Sequence, residues 1–262
     1  MNEIEIRRAI AEDAEVLTEI CRRAFDSDSE FGEPDSGGPP GYDSVDWNLQ
    51  RINNRYLQYY SILKDGSIVG GFIVGDRGPG YQVCERIWID PNHMREGLGT
   101  KAFELVWKQY PTADLWALGT PEWNTRTKPF YESLGFVQIG ITREYPTWNG
   151  RYYEKKIGDG IPRAMKKIGD LQEGQQYIVV EGEIETIPEP RTVKSRKTGE
   201  DMQVINIPLS DDASSITLVL WNDQIRQVEE NSKIRIENAR VSAFRDEPQI
   251  GVSKWGILIT LR

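Results

Sequence analysis

At 262 residues and a net charge of −9, the chain is long enough for two domains and offers no long-range attraction to polyanions, so any anion site must be local. One histidine (His93) and two cysteines (Cys21, Cys84) without a Cys-x-x-Cys spacing argue against a structural zinc site and a disulfide framework, and suit a reduced, cytoplasmic setting. The longest apolar run, Ile68 to Val74, is far short of the roughly 20 residues a bilayer requires, so neither export nor a membrane segment is expected.

In chain order, a short alternating strand at IEIR precedes a helix whose apolar face is Ala14, Val16, Leu17, Ile20 and Ala24. Asp26 to Asp46 is rich in Gly, Pro, Ser and Asp and reads as a long binding loop or lid. A helix from Trp47 to Gln58 leads to strands at Tyr59–Leu63 and Ile68–Val74, joined by a hairpin turn at Lys64-Asp65-Gly66-Ser67. A third strand runs from Tyr81 to Asp90. Leu115–Leu118, a short helix near Pro129–Leu134, Phe136–Ile141 and Arg151–Lys155 complete an α/β unit.

Lys156 to Asp170 mixes glycines and a proline with basic residues and reads as a linker. Beyond it helical periodicity nearly vanishes. Tyr177–Ile187, Gln203–Leu209, Ile216–Trp221, Lys233–Phe244 and Gln249–Leu261 read as strands, with one short helix at Asp223–Glu230 after the third, the pattern of a small Greek-key barrel. Most of the excess negative charge lies ahead of Gly160, leaving the second half nearer neutral.

The segment IWIDPNHMREGLGTKAFELV places Gly97 and Gly99 at a strand-to-helix junction. A helix N-terminus has unsatisfied N–H groups and a partial positive charge, and glycines let an anion approach the backbone. A tight turn explains the same two residues equally well. With LWALGTPEWNTRTKPFYESLGF following, however, Ile4 to about Lys156 resembles the GNAT superfamily of N-acetyltransferases, whose Gln/Arg-x-x-Gly-x-Gly/Ala motif falls on Met94 to Gly99 with Met94 as a departure. GYDSVDW, IVGGFIV and W-x-L-x-T-P-x-W-N-x-R carry the resemblance to a closer subgroup.

The resemblance implies acetyl-coenzyme A as donor. Its pyrophosphate would lie over Met94, Arg95, Glu96, Gly97, Leu98, Gly99 and Thr100, and its pantetheine arm along the Ile87–Ile89 edge, with Asn124 contacting the arm or capping the turn. Tyr131 stands where the family places the acid for the departing thiolate; packing beside Phe130 and Phe136 is the alternative. Glu85 is the candidate base, expected on the same face as Ile87 and Ile89, with a solvated strand carboxylate as the alternative. His93 reads as a turn residue or peripheral phosphate contact. The acidic and aromatic residues in and beside 26–46 and Glu144 to Gly150, namely Asp35, Asp43, Asp46, Tyr42, Trp47 and Trp148, would suit a cationic amine, with a merely solvated acidic loop as the alternative and the acceptor itself unspecified.

Ile216 to Phe244, with its L-W strand end, short helix and K-I-x-I-E-N-A run, resembles the OB-fold of archaeal single-stranded DNA-binding proteins and replication protein A, a likeness spanning about Ile168 to Leu258. Trp221 and Phe244 would stack on bases, Arg191, Lys194, Arg196 and Lys197 would meet phosphates, and Arg240 would stack through its guanidinium or bind phosphate. Barrel-core aromatics and a solvated hairpin tip are the alternative.

The expected architecture is an α/β (α+β) GNAT domain with a mixed sheet at 1–157, a linker at 158–166 and an all-β OB-fold barrel at 167–262. The expected partners are acetyl-coenzyme A, an amine (protein lysine, N-terminus or small molecule) and single-stranded DNA or RNA, with no metal and no membrane. Two further readings stay open: an acetyl-coenzyme A sensor without turnover, and a small-molecule acetyltransferase whose barrel serves protein contact or a homodimer.

Overall fold

The structure, a computed structural model, describes residues 3–33, 37–195 and 197–262, with residues 254 and 255 in backbone only. The chain divides into two compact units, Met1–Asp76 with Gln82–Val137, and Arg77–Tyr81 with Gln138–Arg262.

In the first unit the sheet order is β1 (Ile4–Arg8), β2 (Leu57–Lys64), β3 (Ser67–Asp76), β4 (Tyr81–Ile89), β5 (Leu115–Pro121), and the first four are antiparallel neighbours. The β2–β3 turn has both central residues left-handed, Asp65 at φ 50° and Gly66 at φ 79°, matching the twist of its strands. Helix α1 (Ala14–Asp26) buries Leu17, Ile20, Cys21 and Ala24, at three- and four-residue spacing, against Tyr59, Ile73 and Trp88. On the other face Phe103 of α3 (Leu98–Trp107) meets Phe72 of β3 edge-on at 4.8 Å, and α4 (Thr127–Ser133) adds Phe130 and Tyr131 beside it. The two faces of the sheet are thus covered by different helices. Helix α2 spans Val45–Ile52 rather than reaching Gln58: Ser44 accepts the Trp47 amide at 3.2 Å and sets its start, and Leu57 already belongs to β2.

The second unit contains β6 (Val137–Thr142, from Gln138 on), β7 (Gly150–Lys156), β8 (Met165–Lys166), β9 (Gln176–Ile184), β10 (Arg191–Lys194), β11 (Asp201–Ser210), β12 (Ser215–Trp221), β13 (Ser232–Phe244) and β14 (Glu247–Leu261). The pairings β9–β11–β12–β14–β13–β9 return to their start, with only β12–β14 parallel. Inside lie Val180, Ile207, Leu209, Leu218, Leu220, Ile234, Ile236 and Ile250, alternate residues of their strands. The segment after β12 is a 3₁₀ turn, Asn222–Gln227, shorter than the expected Asp223–Glu230 helix.

The division between compact units falls at Val137/Gln138, ahead of the glycine-rich stretch. The cause is pairing and a buried polar cluster. Residues Gly140 and Ile141 pair with Leu261 and Thr260, while Tyr152 and Tyr81 donate to Glu237 and Arg235 reaches Glu154 at 2.7 Å. Residues 156–161 are exposed, with the second unit on both sides of them.

Candidate functional site

The glycine junction is a left-handed turn. Asp90 accepts the Asn92 amide at 3.0 Å and starts a 3₁₀ turn, Pro91–His93; Arg95 then takes φ 65° and Gly97 φ 77° before α3 begins. Gly97 at the N-cap offers α3 no side-chain acceptor, so its first amides, those of Leu98, Gly99 and Thr100, have no intrahelical partner and, among the described residues, no side-chain cap. Gly97 is required by its φ, and a Cβ there would meet no protein atom within 4 Å. Gly99 has a different reason. Its Cβ would come within 2.9 Å of the Phe130 ring, so this glycine serves α3–α4 packing rather than leaving the backbone open.

Glu96 turns back at the same place, accepting from Lys64 Nζ at 2.6 Å and lying 3.1 Å from His93 Nδ1. The Lys64 ammonium first, and His93 second, hold its carboxyl below the ordinary range. Of the motif's other side chains, Leu98 is buried in the core, and Met94 lies with its Sδ 3.4 Å from Arg126 Nη1.

Arg126 links this turn to the helix carrying Tyr131. It ion-pairs with the buried Asp28 and stacks over Phe31 at 4.5 Å. Burial raises the Asp28 carboxyl's pKa, while Arg126 and Asn124 oppose that shift. Asn124 is itself buried; its Oδ1 accepts the amides of Arg126 at 3.2 Å and Thr127 at 3.3 Å, so it caps the opening of α4. Tyr131, 7% exposed, packs edge-on against Phe103 and Phe136. Met94, Gly99, Asn124 and Tyr131 therefore come together, joined by two residues the sequence reading did not select, Asp28 and Arg126. Arg126 does stand in the W-N-x-R run, but the acid it would pair with lies about a hundred residues earlier and carries no local signal.

Glu85 does not share a face with Ile87 and Ile89. The register passes from Ile73–Arg86 to Val74–Cys84, leaving Glu85 as an extra residue. A bulge inverts the alternation beyond it. The Glu85 carboxylate approaches Gly75, on the face where Gly71 receives the Trp88 ring, whereas Ile87 opposes Phe72 on the α3 face.

The 26–46 segment holds a 3₁₀ turn, Ser27–Phe31, and Asp35 lies outside the described residues. Trp47 is already engaged by the chain's own cations, Arg86 at 4.3 Å and Arg51 at 4.4 Å from its ring centroid, so it does not present the free cation-binding ring expected of it. Arg86 is further bonded to the Pro40 carbonyl, and burial lowers its pKa. In the second unit, Arg226 holds the carbonyls of Arg143 and Glu144, and Tyr145 stacks on Trp148 at 3.9 Å.

In the barrel, Arg191, Val204 and Trp221 stand at one level on three adjacent strands, so their side chains share a face. Trp221 is 37% exposed and Phe244, before the left-handed Arg245-Asp246 turn, 59% exposed, which places both rings outside the core. Arg245 lies over the Phe244 ring at 5.3 Å. Lys194 and Lys197 are exposed around the β10–β11 turn and Arg240 is exposed on β13; Arg196 lies outside the described residues. Among the described residues no cluster of three or more His, Cys, Asp and Glu could hold a metal, and no helix is long and apolar enough to cross a membrane.

Two family models match the chain: an acetyltransferase (GNAT) domain over residues 55–138, and a single-stranded DNA-binding protein Ssb-like OB fold over 176–260. Residues 55–138 therefore match an acetyltransferase domain of the GNAT type, and residues 176–260 after it match an OB fold. An uncharacterized protein of Bacillus subtilis, YrkN, is 28% identical over 134 residues, 48% of this chain and 71% of that protein. Among solved structures, the PaiA N-acetyltransferase of Thermoplasma acidophilum with coenzyme A is 20% identical, covering 59% of this chain and 99% of that one, at a TM-score of 0.49. A replication factor A related protein of Methanobacterium thermoautotrophicum is 26% identical over 37% of this chain and 90% of that one, at a TM-score of 0.33.

Proposed function

We propose that the protein transfers acetyl from acetyl-coenzyme A to a primary amine and that its OB domain binds single-stranded nucleic acid, bringing the enzyme to acceptors on the same assembly. The observation that carries the first part is the uncapped start of α3 behind the left-handed Arg95–Gly97 turn, inside the matched acetyltransferase domain. Its amides would take the diphosphate, and Lys64, neutralising Glu96, keeps that acid from repelling it.

The chemistry needs a neutral amine. At pH 7 an ammonium with pKa about 10.4 costs roughly 4–5 kcal/mol to deprotonate. Glu85, which the bulge sets on the face away from Ile87, would accept that proton through water. The amine nitrogen attacks the thioester carbonyl, the C–S bond breaks, and the thiolate takes its proton from the Tyr131 hydroxyl. For the barrel, Trp221 and Phe244 outside the core, with Arg191 level with Trp221, support base stacking beside phosphate contact.

The test is turnover of acetyl-coenzyme A with amine acceptors drawn from a cell extract, read as labelled product, alongside oligonucleotide titration at two salt concentrations. Saturable binding of acetyl-coenzyme A without any transfer would replace the enzyme reading with a sensor. Absence of oligonucleotide binding at low salt would remove the nucleic-acid part.

A further inference from the structure

The second unit has an irregular patch distinct from Trp221 and Phe244. In the β13–β9 ladder, Ile236 pairs with Val180, Ala239 with Ile178 and Arg240 with Gln176, so one extra residue falls on β13 and then Tyr177 is extra on β9. The β13–β14 ladder slips at the same point, passing from Glu237–Ile257 to Ala239–Val252. Asn238 and Tyr177 both have left-handed backbones, φ 53° and φ 57°. Such a conformation is rare for a bulky tyrosine and clusters at functional sites. Regular bonding resumes at once, Val241 N donating to Gln175 O at 2.9 Å, so the distortion is confined and held from both sides.

The bulges re-aim side chains around a pocket of about 440 Å³ lined by Gln176, Tyr177, Asn238, Arg240, Val252 and Ser253. That volume lies in the roughly 300–1,000 Å³ range of small-ligand sites. Tyr177 stands 58% exposed at the rim with the exposed Arg240. Of the lining residues Asn238 is 5% exposed, and its Oδ1 and the buried Ser253 Oγ have no hydrogen-bond partner among the described residues. Buried polar atoms are almost always partnered, so unmet ones on residues lining a pocket point to a ligand that supplies the bonds.

We infer that this pocket receives one unstacked base of a single strand. The base would stack against the Tyr177 ring, turn a donor edge to Asn238 Oδ1 and Ser253, and leave its phosphate to Arg240. This rests on the reading of the OB domain as a single-strand binder and adds to it a base-reading position. The unmet acceptor favours bases with an exocyclic amine, whose donor edge is the larger.

The test uses the full chain and labelled oligo(dC), oligo(dT) and oligo(rC), read by fluorescence anisotropy, with folding checked by circular dichroism. Tyr177→Ala should weaken oligo(dC) binding about tenfold or more, and Tyr177→Phe should bind as the wild type. Asn238→Gly keeps the left-handed backbone and removes the amide; it should abolish a wild-type preference for oligo(dC) over oligo(dT). Comparison of oligo(rC) with oligo(dC) assigns the sugar. Folded Tyr177→Ala and Asn238→Gly proteins that bind oligo(dC) like the wild type overturn the pocket and leave the Trp221 and Phe244 reading intact. A wild type that binds none of the oligomers overturns the parent reading itself.

Discussion

The turn at Met94–Gly99 and the pocket at Tyr177 and Asn238 both depend on left-handed backbone, but they are built in opposite ways. The turn is local: consecutive residues Met94–Gly99 bring the chain to the first amides of α3, those of Leu98, Gly99 and Thr100, and most of the side chains are turned elsewhere, Glu96 to Lys64 and Leu98 to the core. The pocket is assembled from β9, β13 and β14, and its polar character comes from the side chains of Asn238 and Ser253. A backbone-built site tolerates side-chain change but not an added Cβ. A site built from side chains on bulges tolerates glycine but not loss of the ring or amide.

The largest effect should come where side-chain chemistry enters the first unit. Tyr131→Phe keeps the packing against Phe103 and Phe136 and removes the acid, so kcat should fall about 100-fold or more with acetyl-coenzyme A affinity unchanged. Equal kcat would make Tyr131 a packing residue only. Next, Gly99→Val drives a side chain into Phe130 and should cost about 1–3 kcal/mol of stability, measured by urea denaturation. Gly97→Ala should cost about 1–2 kcal/mol through its φ of 77° and weaken coenzyme A binding. Met94→Ala, which leaves the amides in place, should change that binding by less than Gly97→Ala does.

The smallest effects are in pH dependence, where acids of the two units have opposite signs. A hydrogen bond from Arg7 is the largest influence holding Asp13 below the ordinary range, so its contribution is present above the unfolded value of about 3.9 and is lost as pH falls through the lower folded value. Burial pushes Glu237 above its ordinary range against the bonds from Tyr152 and Tyr81. Its contribution is full below the unfolded value of about 4.3 and is lost as pH rises through the folded value. Glu237→Gln should flatten the fall in Tm with rising pH, and Asp13→Asn the fall with acidification. A wild-type Tm slope unchanged in Glu237→Gln would refute the upward shift of the Glu237 carboxyl.

Much of the fold was legible because local rules agreed. Period-two alternation located the barrel strands, Asp65-Gly66 the hairpin, and Gly97 the start of α3. What was not legible depended on partners distant in sequence. A single extra residue at Glu85 moved it to the other face of β4, which no pattern within one strand reveals. Trp47 looked available for a ligand cation until Arg86, forty residues away, was found on its ring. Likewise Tyr177 and Asn238 read as ordinary strand residues, since a bulge exists only relative to the partner strand.

By itself, the sequence determined an α/β unit followed by a strand-rich unit and the glycine turn ahead of α3, because helix starts, hairpins and alternation are set by residues within a few positions of one another. The tertiary structure alone decided which face Glu85 occupies, that Asp28 and Arg126 join the turn to the Tyr131 helix, and that Tyr177, Asn238 and Ser253 surround one pocket. Register against a partner strand, near in sequence for Glu85 and distant for Tyr177, and ion pairing such as Arg126–Asp28 are settled by the balance of burial and hydrogen bonding over the whole unit, which no single strand contains.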